Sequence, residues 1–93
     1  MDRPNILLIM TDEHAPMYSS TYGHPLLQTP YMDQLAQEGA TFDNAYCNSP
    51  LCLPSRMSFM TGRYINQIGA YDNASPLPSD TVTWAHMLGA VGY

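Results

Sequence analysis

A short, unbroken apolar run near the start of the chain constrains the fold most strongly. Residues 6–10 read Ile-Leu-Leu-Ile-Met; Pro4 and Asn5 precede them, and the polar segment Thr11-Asp12-Glu13-His14 ends the run. A run of this length without alternation is typical of a strand buried on both faces, as in a parallel sheet covered by helices. Periodicity alone does not exclude a buried helix, but the proline before the run and the abrupt polar end favour a strand over Asn5–Met10.

Further elements are predicted along the rest of the chain. Capping residues and first-turn prolines predict three helices: Thr29-Pro30 to Gly39, Pro54 to Met60 with Gly62 as the stop, and Thr81 or Thr83 to Gly92. Ala40–Tyr46 alternates in part and predicts a second strand, whereas residues 15–28 and 63–80 are predicted to be mostly loop. This order is the opening of an α/β layered fold. Because two strands cannot cover three helices, residues 1–93 are expected to be the N-terminal fragment of a larger, truncated domain.

The charge balance excludes several classes of partner. The 93 residues carry a formal charge of -5, with Arg3, Arg56 and Arg63 as the cationic side chains and no lysine. Nucleic acid and anionic membranes are therefore not expected as partners, because both require clusters of basic residues. No signal-peptide core or membrane span is visible, so a cytoplasmic location is expected. Cys47 and Cys52 alone make no disulfide framework.

Cys52 and Arg56 form the most informative local pattern. Cys52 directly precedes the predicted Pro54 helix, whose N-terminal amides and positive dipole end stabilise negative charge. Arg56 lies one helical turn further on, so its guanidinium can reach back toward position 52. This pattern suits a nucleophile with an anion clamp. The residues alone leave other interpretations open: a structural small hydrophobe, a disulfide to Cys47, or half of a zinc site.

The segment Cys52-Leu53-Pro54-Ser55-Arg56 resembles the Cys-X-Pro-Ser-Arg signature of the formylglycine-dependent (type I) sulfatase family, in particular its choline-sulfatase-like and arylsulfatase-like members. The continuation Met60-Thr61-Gly62-Arg63 is similar to the family's extension. Other segments match the family in the same order along the chain: Pro4–Ile9 with Asp12, Tyr22-Gly23-His24, Thr29-Pro30, Asp33, Leu35-Ala36, Gly39, Phe42, Ala45-Tyr46, and Leu88 with Gly92-Tyr93. The resemblance thus covers essentially the whole chain, which largely removes the risk of a chance match.

The resemblance implies both a fold and a reaction. The fold would be alkaline-phosphatase-like, a mixed sheet sandwiched by helices. The reaction would be hydrolysis of a sulfate ester, either of a small molecule or of a sulfated glycan. A separate formylglycine-generating enzyme would oxidise Cys52 to formylglycine, whose hydrated form attacks sulfur and later releases sulfate. Arg56 would stabilise the hydrated aldehyde and the developing charge.

Asp12 and Glu13 are the candidate metal ligands. They follow the first predicted strand, at the edge where open α/β sheets place their sites. Adjacent carboxylates select a hard cation such as Ca²⁺ or Mg²⁺, although the pair by itself would also fit a solvated acidic loop. The resemblance implies that Asp12, Glu13 and the modified Cys52 contact the ion. The three histidines match no catalytic histidine of the family and are not expected to take part: His14, His24 and His86.

Two other functions remain open from the sequence. Some relatives use the same formylglycine on phosphorus, so a phosphonate or phosphate ester hydrolase is an alternative within the superfamily. A non-catalytic remnant, in which Cys52 stays a thiol, is an alternative of a different class. In either case the 93 residues by themselves are expected to be inactive and to hold Ca²⁺ weakly, because two carboxylates leave most coordination positions to water.

Overall fold

The computed structural model describes residues 3–93, and the chain divides into two compact units, residues 1–43 and 44–93. Among the described residues, the first unit contains one α-helix and the second contains three. The α-helices of the described residues are α1 Pro30–Glu38, α2 Cys52–Thr61, α3 Ile65–Ile68 and α4 Trp84–Ala90, and single-turn 3₁₀ helices span Pro16–Tyr18 and Ser20–Tyr22. None of these helices is long and apolar enough to cross a membrane.

Helix α1 confirms its predicted limits but not its predicted cap. It begins at Pro30 and ends before Gly39, whose amide donates to the Leu35 carbonyl. Thr29 occupies the N-cap position, yet its side chain makes no capping hydrogen bond to the helix amides. The Thr29 hydroxyl instead contacts the Ser20 hydroxyl at 2.9 Å and accepts from the Ser20 amide at 3.1 Å. Thr29 therefore joins the helix to the preceding 3₁₀ turn rather than capping the helix.

Asp33 is the centre of this connection. Its two carboxylate oxygens accept from the Ser20 hydroxyl at 2.6 Å and from the Thr21 hydroxyl at 2.5 Å. These hydroxyl hydrogen bonds, the Ser20 bond foremost, hold the pKa of Asp33 below its usual value, and desolvation opposes them. Hydrogen bonds to the charged form of a carboxyl favour that form. Side-chain hydrogen bonds thus fix the segment 20–21 on α1.

We expect the stability of the first unit to fall at acid pH because of Asp33. A carboxyl group whose pKa is lower in the folded state stabilises that state above its unfolded pKa, which is about 3.9. This contribution is lost as the pH falls through the lower folded pKa. Urea denaturation of the chain between neutral and acid pH should show the loss, and Asp33→Asn should remove that part of the pH dependence. Asp43→Asn is the matched control, and equal curves for both variants would contradict the role of Asp33.

Helix α2 begins two residues before the predicted start at Pro54. Its first residue is Cys52, and the Ser55 amide donates to the Leu51 carbonyl at 3.0 Å. The helix ends at Gly62 as predicted, where φ is +67°, a left-handed conformation that glycine adopts without a steric cost. The early start matters because it places Cys52 inside the first helical turn.

Three short helical turns lie within the predicted loops, and the last helix confirms one of its two predicted caps. The 3₁₀ turns lie within residues 15–28, and α3 lies within residues 63–80. All three are single turns that hydrophobic periodicity cannot detect. The last helix begins after Thr83, one of the two predicted caps, and ends at Ala90, with Val91 at its C-cap.

Neither predicted strand, Asn5–Met10 or Ala40–Tyr46, is present among the described residues, which contain helices and turns but no strand. A strand exists only when a neighbouring strand supplies its hydrogen bonds, and neither segment pairs with such a neighbour. The side chains of residues 6–10 are correspondingly 49% to 85% exposed. The mixed sheet implied by the family resemblance therefore stays a prediction.

The interior of the described residues is small and largely polar. Ala70 is the buried hydrophobic residue, and Pro54 is also fully buried. The buried polar residues are Ser19, Ser49, Ser58 and Thr83. Every buried side-chain nitrogen or oxygen of the described residues has a hydrogen-bond partner. Each unit is thus held largely by hydrogen bonds around helix ends and turns, and not by an extended apolar core.

Candidate functional site

The structure brings Cys52 and Arg56 together, as the spacing predicts. Cys52 is the first residue of α2, and its side chain is exposed. The Arg56 Nε–H donates to the Cys52 sulfur at 3.1 Å. The contact runs along one helical turn, where residues four apart lie on the same face. A cationic donor is thereby held against the substituent at position 52.

The first turn of α2 adds the positive end of a helix at the same position. Pro54 has no N–H group, and the Leu53 amide donates to the side-chain oxygen of Asn73 at 2.9 Å. The Cys52 amide is the first N–H group of α2. Unpaired amides at a helix start carry partial positive charge and attract anions. The N-terminus of α2 and Arg56 therefore present positive potential to whatever group occupies position 52.

Asn73 lies in a turn that its neighbours stabilise. The Asp72 carboxylate accepts from the Ala74 amide and from the Ser75 hydroxyl, both at 2.8 Å. These bonds, with the Ser75 hydroxyl as the larger cause, hold the pKa of Asp72 below its usual value. The sequence did not indicate this contact of Asn73, although the turn formers at residues 72–75 indicated a tight turn here. The turn presents the Asn73 oxygen to the start of α2.

We expect Asn73→Ala to destabilise the second unit by about 1 kcal/mol, the usual cost of losing a side-chain cap at a helix start. Asn73→Asp keeps an acceptor oxygen and adds negative charge near the helix N-terminus, so it should retain the stability. Urea denaturation measures both effects, and amide exchange at Leu53 localises them. The matched control is Asn66→Ala in α3. Equal losses from the Asn66 and Asn73 changes would contradict the capping role.

Asn48 fixes the segment that leads into Cys52. Its amide nitrogen donates to the buried Ser58 hydroxyl at 2.5 Å, and its amide oxygen accepts from the Ile65 backbone at 3.3 Å. The Ser49 hydroxyl accepts from the Leu51 amide at 3.2 Å. One side chain thus ties the loop before Cys52 to both α2 and α3. No sequence signal beyond a loop asparagine indicated this role.

Cys47 makes a different contact from Cys52. Its thiol donates to the Ser49 carbonyl at 3.1 Å, and both cysteines are free thiols. The disulfide left open by the sequence is therefore absent. The two cysteines also differ in setting, since Cys52 faces a guanidinium and Cys47 a backbone carbonyl.

Asp12 and Glu13 are exposed neighbours in a bend after the apolar run. Glu13 has φ of +52°, a left-handed conformation that costs a residue with a side chain about 1 kcal/mol. Two adjacent carboxylates are the hard oxygen donors that Ca²⁺ or Mg²⁺ prefers, so the pair fits such an ion. Among residues 3–93, however, no group of three or more potential ligands (His, Cys, Asp or Glu) comes together. A complete coordination shell needs further ligands.

The predicted site residues lie in both units. Asp12 and Glu13 belong to the first unit, and Cys52 and Arg56 belong to the second. Within its own unit each pair is adjacent as predicted. The approach of the metal carboxylates to Cys52 stays a prediction.

The three histidines have structural contacts. His14 contacts the Ser19 hydroxyl at 2.8 Å. The His24 Nδ1 accepts from the Leu26 and Leu27 amides. In α4, the His86 Nδ1 accepts from the Thr83 amide at the helix start. The helix-cap role of His86 was not predicted.

Comparison with known proteins identifies the family. A family model for sulfatases matches residues 4–93. The chain belongs to the sulfatase family. An N-acetylglucosamine-6-O-sulfatase of Bacteroides thetaiotaomicron is 44% identical over 98% of this chain and 16% of its own length. Arylsulfatase A of Bos taurus is 42% identical over 97% of this chain and 19% of its own length. The choline-sulfatase of Rhizobium meliloti is 40% identical over 98% of this chain and 18% of its own length.

Family membership confirms the resemblance seen in the sequence, including its choline-sulfatase-like and arylsulfatase-like character. Sulfatases are hydrolases that act on sulfate esters, and in general they use a formylglycine and a divalent metal ion. Their alkaline-phosphatase-like fold contains the mixed sheet that the described residues do not form. The chain spans less than a fifth of the length of these relatives.

Proposed function

We propose that this chain supplies the nucleophile segment and the first metal ligands of a sulfuric ester hydrolase. Cys52 would be the residue converted to formylglycine, and Arg56 its cationic partner. Asp12 and Glu13 would hold a divalent cation. The observation that carries the proposal is the 3.1 Å hydrogen bond from the Arg56 Nε–H to the Cys52 sulfur at the start of α2.

The side chains around position 52 fit the charge changes of the reaction. A formylglycine at this position, once hydrated, supplies an oxygen nucleophile for sulfur and a second hydroxyl whose deprotonation expels sulfate. The Arg56 Nε–H already points at the first atom beyond the β-carbon, the thiol sulfur that stands in for that oxygen. A preorganised cationic donor stabilises negative charge where it develops. The first-turn amide of Cys52 adds to this positive potential.

Asp12 and Glu13 would hold the cation through their carboxylate oxygens, and the ion would polarise a sulfate oxygen and orient the nucleophile. Either Ca²⁺ or Mg²⁺ suits such ligands. Both side chains are exposed at the end of the apolar run, so they are accessible to an ion. Because two carboxylates cannot complete the shell, we propose that the 93 residues by themselves neither bind Ca²⁺ tightly nor hydrolyse sulfate esters.

Mass spectrometry of the tryptic peptide that ends at Arg56 tests the proposal directly. Conversion of Cys52 to formylglycine lowers the peptide mass by about 18 Da, whereas an unconverted thiol reacts with an alkylating reagent. The experiment uses protein produced together with a formylglycine-generating enzyme. Cys47 lies in the same peptide and provides an internal control, because it should remain alkylatable. A fully alkylated Cys52 would instead support the non-catalytic remnant.

The substrate class is tested by rates on matched esters. The relatives are named for sulfate esters of a sugar, of choline and of aryl groups, and we propose a sulfate ester of a small molecule or of a glycan here. An aryl sulfate and the corresponding aryl phosphonate should be compared with the complete, converted protein. Faster hydrolysis of the phosphonate would favour the phosphorus-directed alternative. The cytoplasmic location stays a prediction.

A further inference from the structure

The loop that carries the candidate metal carboxylates contains a strained residue. Glu13 adopts a left-handed backbone conformation although it has a side chain, and Asp12 and Glu13 lie in a bend rather than a regular element. Such conformations persist where surrounding contacts determine them. The direction in which the two carboxylates point therefore depends on what holds this loop.

A side-chain hydrogen bond closes the loop just after Glu13. The His14 Nε2 contacts the Ser19 hydroxyl at 2.8 Å, and the Tyr18 amide donates to the Ala15 carbonyl at 3.0 Å. Ser19 is completely buried, with 0% of its surface exposed. A buried hydroxyl cannot reach a substrate, so the pair is not a serine–histidine nucleophile. The remaining role of the Ser19 hydroxyl is to hold the His14 imidazole in place.

Ser19 is a rigid anchor for this purpose. Its amide donates to the Pro16 carbonyl, and its own carbonyl accepts from the Tyr22 and His24 amides at 3.1 and 3.2 Å. The next residue, Ser20, is tied to α1 through Asp33. Ser19 is therefore held on both sides. Because the His14 imidazole is hydrogen-bonded to Ser19, the backbone of the adjacent Glu13 is restrained as well.

We propose that His14 is a positioning residue that holds Asp12 and Glu13 in the conformation that binds the divalent cation, through its hydrogen bond to the buried Ser19. This inference rests on the proposed function of the carboxylates. Groups that orient metal ligands from outside the coordination shell commonly change metal affinity by ten- to a hundredfold. His14 does so here from the residue next to a ligand, with no contact to the ion required.

Metal affinity of the complete protein tests the role, with Mn²⁺ as the probe because carboxylate sites accept it. Calorimetric titration at one neutral pH should give about tenfold weaker binding for His14→Leu and for Ser19→Ala. His14→Gln keeps a polar group within reach of the Ser19 hydroxyl and should bind Mn²⁺ like the unsubstituted protein. The double variant should bind no more weakly than either single variant, since one interaction is lost in each case. Asp43→Asn is the control for an unrelated carboxylate of the same unit.

The outcomes separate this inference from the proposed function. A loss of Mn²⁺ affinity in Asp12→Asn, with unchanged affinity in both His14→Leu and Ser19→Ala, overturns the positioning role alone. Equal Mn²⁺ affinity in Asp12→Asn and the unsubstituted protein overturns the metal site and this inference with it. A purely structural role would lower the thermal midpoint of the metal-free protein and leave the Mn²⁺ affinity unchanged, which also overturns the inference.

Discussion

Replacement of Cys52 by alanine is expected to reduce sulfate ester hydrolysis by the complete protein to background. Removal of a covalent nucleophile costs about 10⁶-fold in turnover in well-studied hydrolases. Alanine cannot be oxidised to an aldehyde, so neither the attacking hydroxyl nor the group that later expels sulfate can form. Steady-state turnover of an aryl sulfate, measured on equal amounts of folded protein, checks the result.

Cys47→Ala is the matched control for this change. The Cys47 thiol is exposed and donates to the Ser49 carbonyl rather than facing Arg56, so its loss should leave conversion of Cys52 and turnover close to normal. Substantial hydrolysis by Cys52→Ala would assign the chemistry to another residue. A loss of activity in both variants to the same extent would point to a shared structural effect of the cysteines.

Replacement of Arg56 by alanine is expected to lower kcat by about 100- to 1,000-fold, the usual effect of removing one preorganised donor to a developing anion. The Nε–H that reaches position 52 is lost, and with it the positive charge along that turn. Arg56→Lys keeps the charge but not the planar donor, because the lysine ammonium is a point charge on a flexible stem. Its turnover should lie between those of the alanine variant and the unsubstituted protein.

Conversion of Cys52 must be measured in the same samples, because the family resemblance implies that the modifying enzyme also reads residues 53–56. Turnover should therefore be divided by the fraction of peptide that carries formylglycine. A normal kcat per converted molecule in Arg56→Ala would confine Arg56 to recognition by the modifying enzyme. A lower kcat at equal conversion supports the role in charge stabilisation.

The features that were predicted correctly from the sequence are those that depend only on nearby residues. Pro30 and Gly39 set the limits of α1, and Gly62 ends α2 as expected. The contact between Arg56 and Cys52 follows from helical spacing alone. These features need no information from distant parts of the chain, because a proline, a glycine or a four-residue interval acts within one or two turns.

Features that depend on distant partners were not predicted. Asn73 caps a residue twenty positions away, and Asn48 joins α2 to α3 across a loop. Thr29 had the right identity for a helix cap, but its hydroxyl oxygen accepts from the Ser20 amide instead. Polar side chains with several possible partners carry no periodic signal, so their choice of partner appears only in three dimensions.

The two predicted strands are absent from the described residues because a strand, too, depends on a distant partner. The composition of residues 6–10 indicates burial, but a strand is a property of a pair of segments. The described residues supply no second segment for Asn5–Met10, and its apolar side chains remain exposed. The strand preference of this segment was therefore not enough to form a strand. The mixed sheet typical of the sulfatase family requires neighbouring strands that the described residues do not provide.

The unpaired apolar run has a practical consequence for handling the chain. Five consecutive apolar residues without charge or proline, all with exposed side chains, resemble the short segments that stack into cross-β fibrils. Concentrated solutions of the isolated chain should accordingly self-associate through residues 5–10. A lysine in place of Leu7 or Ile9 would act as a gatekeeper and delay fibril formation.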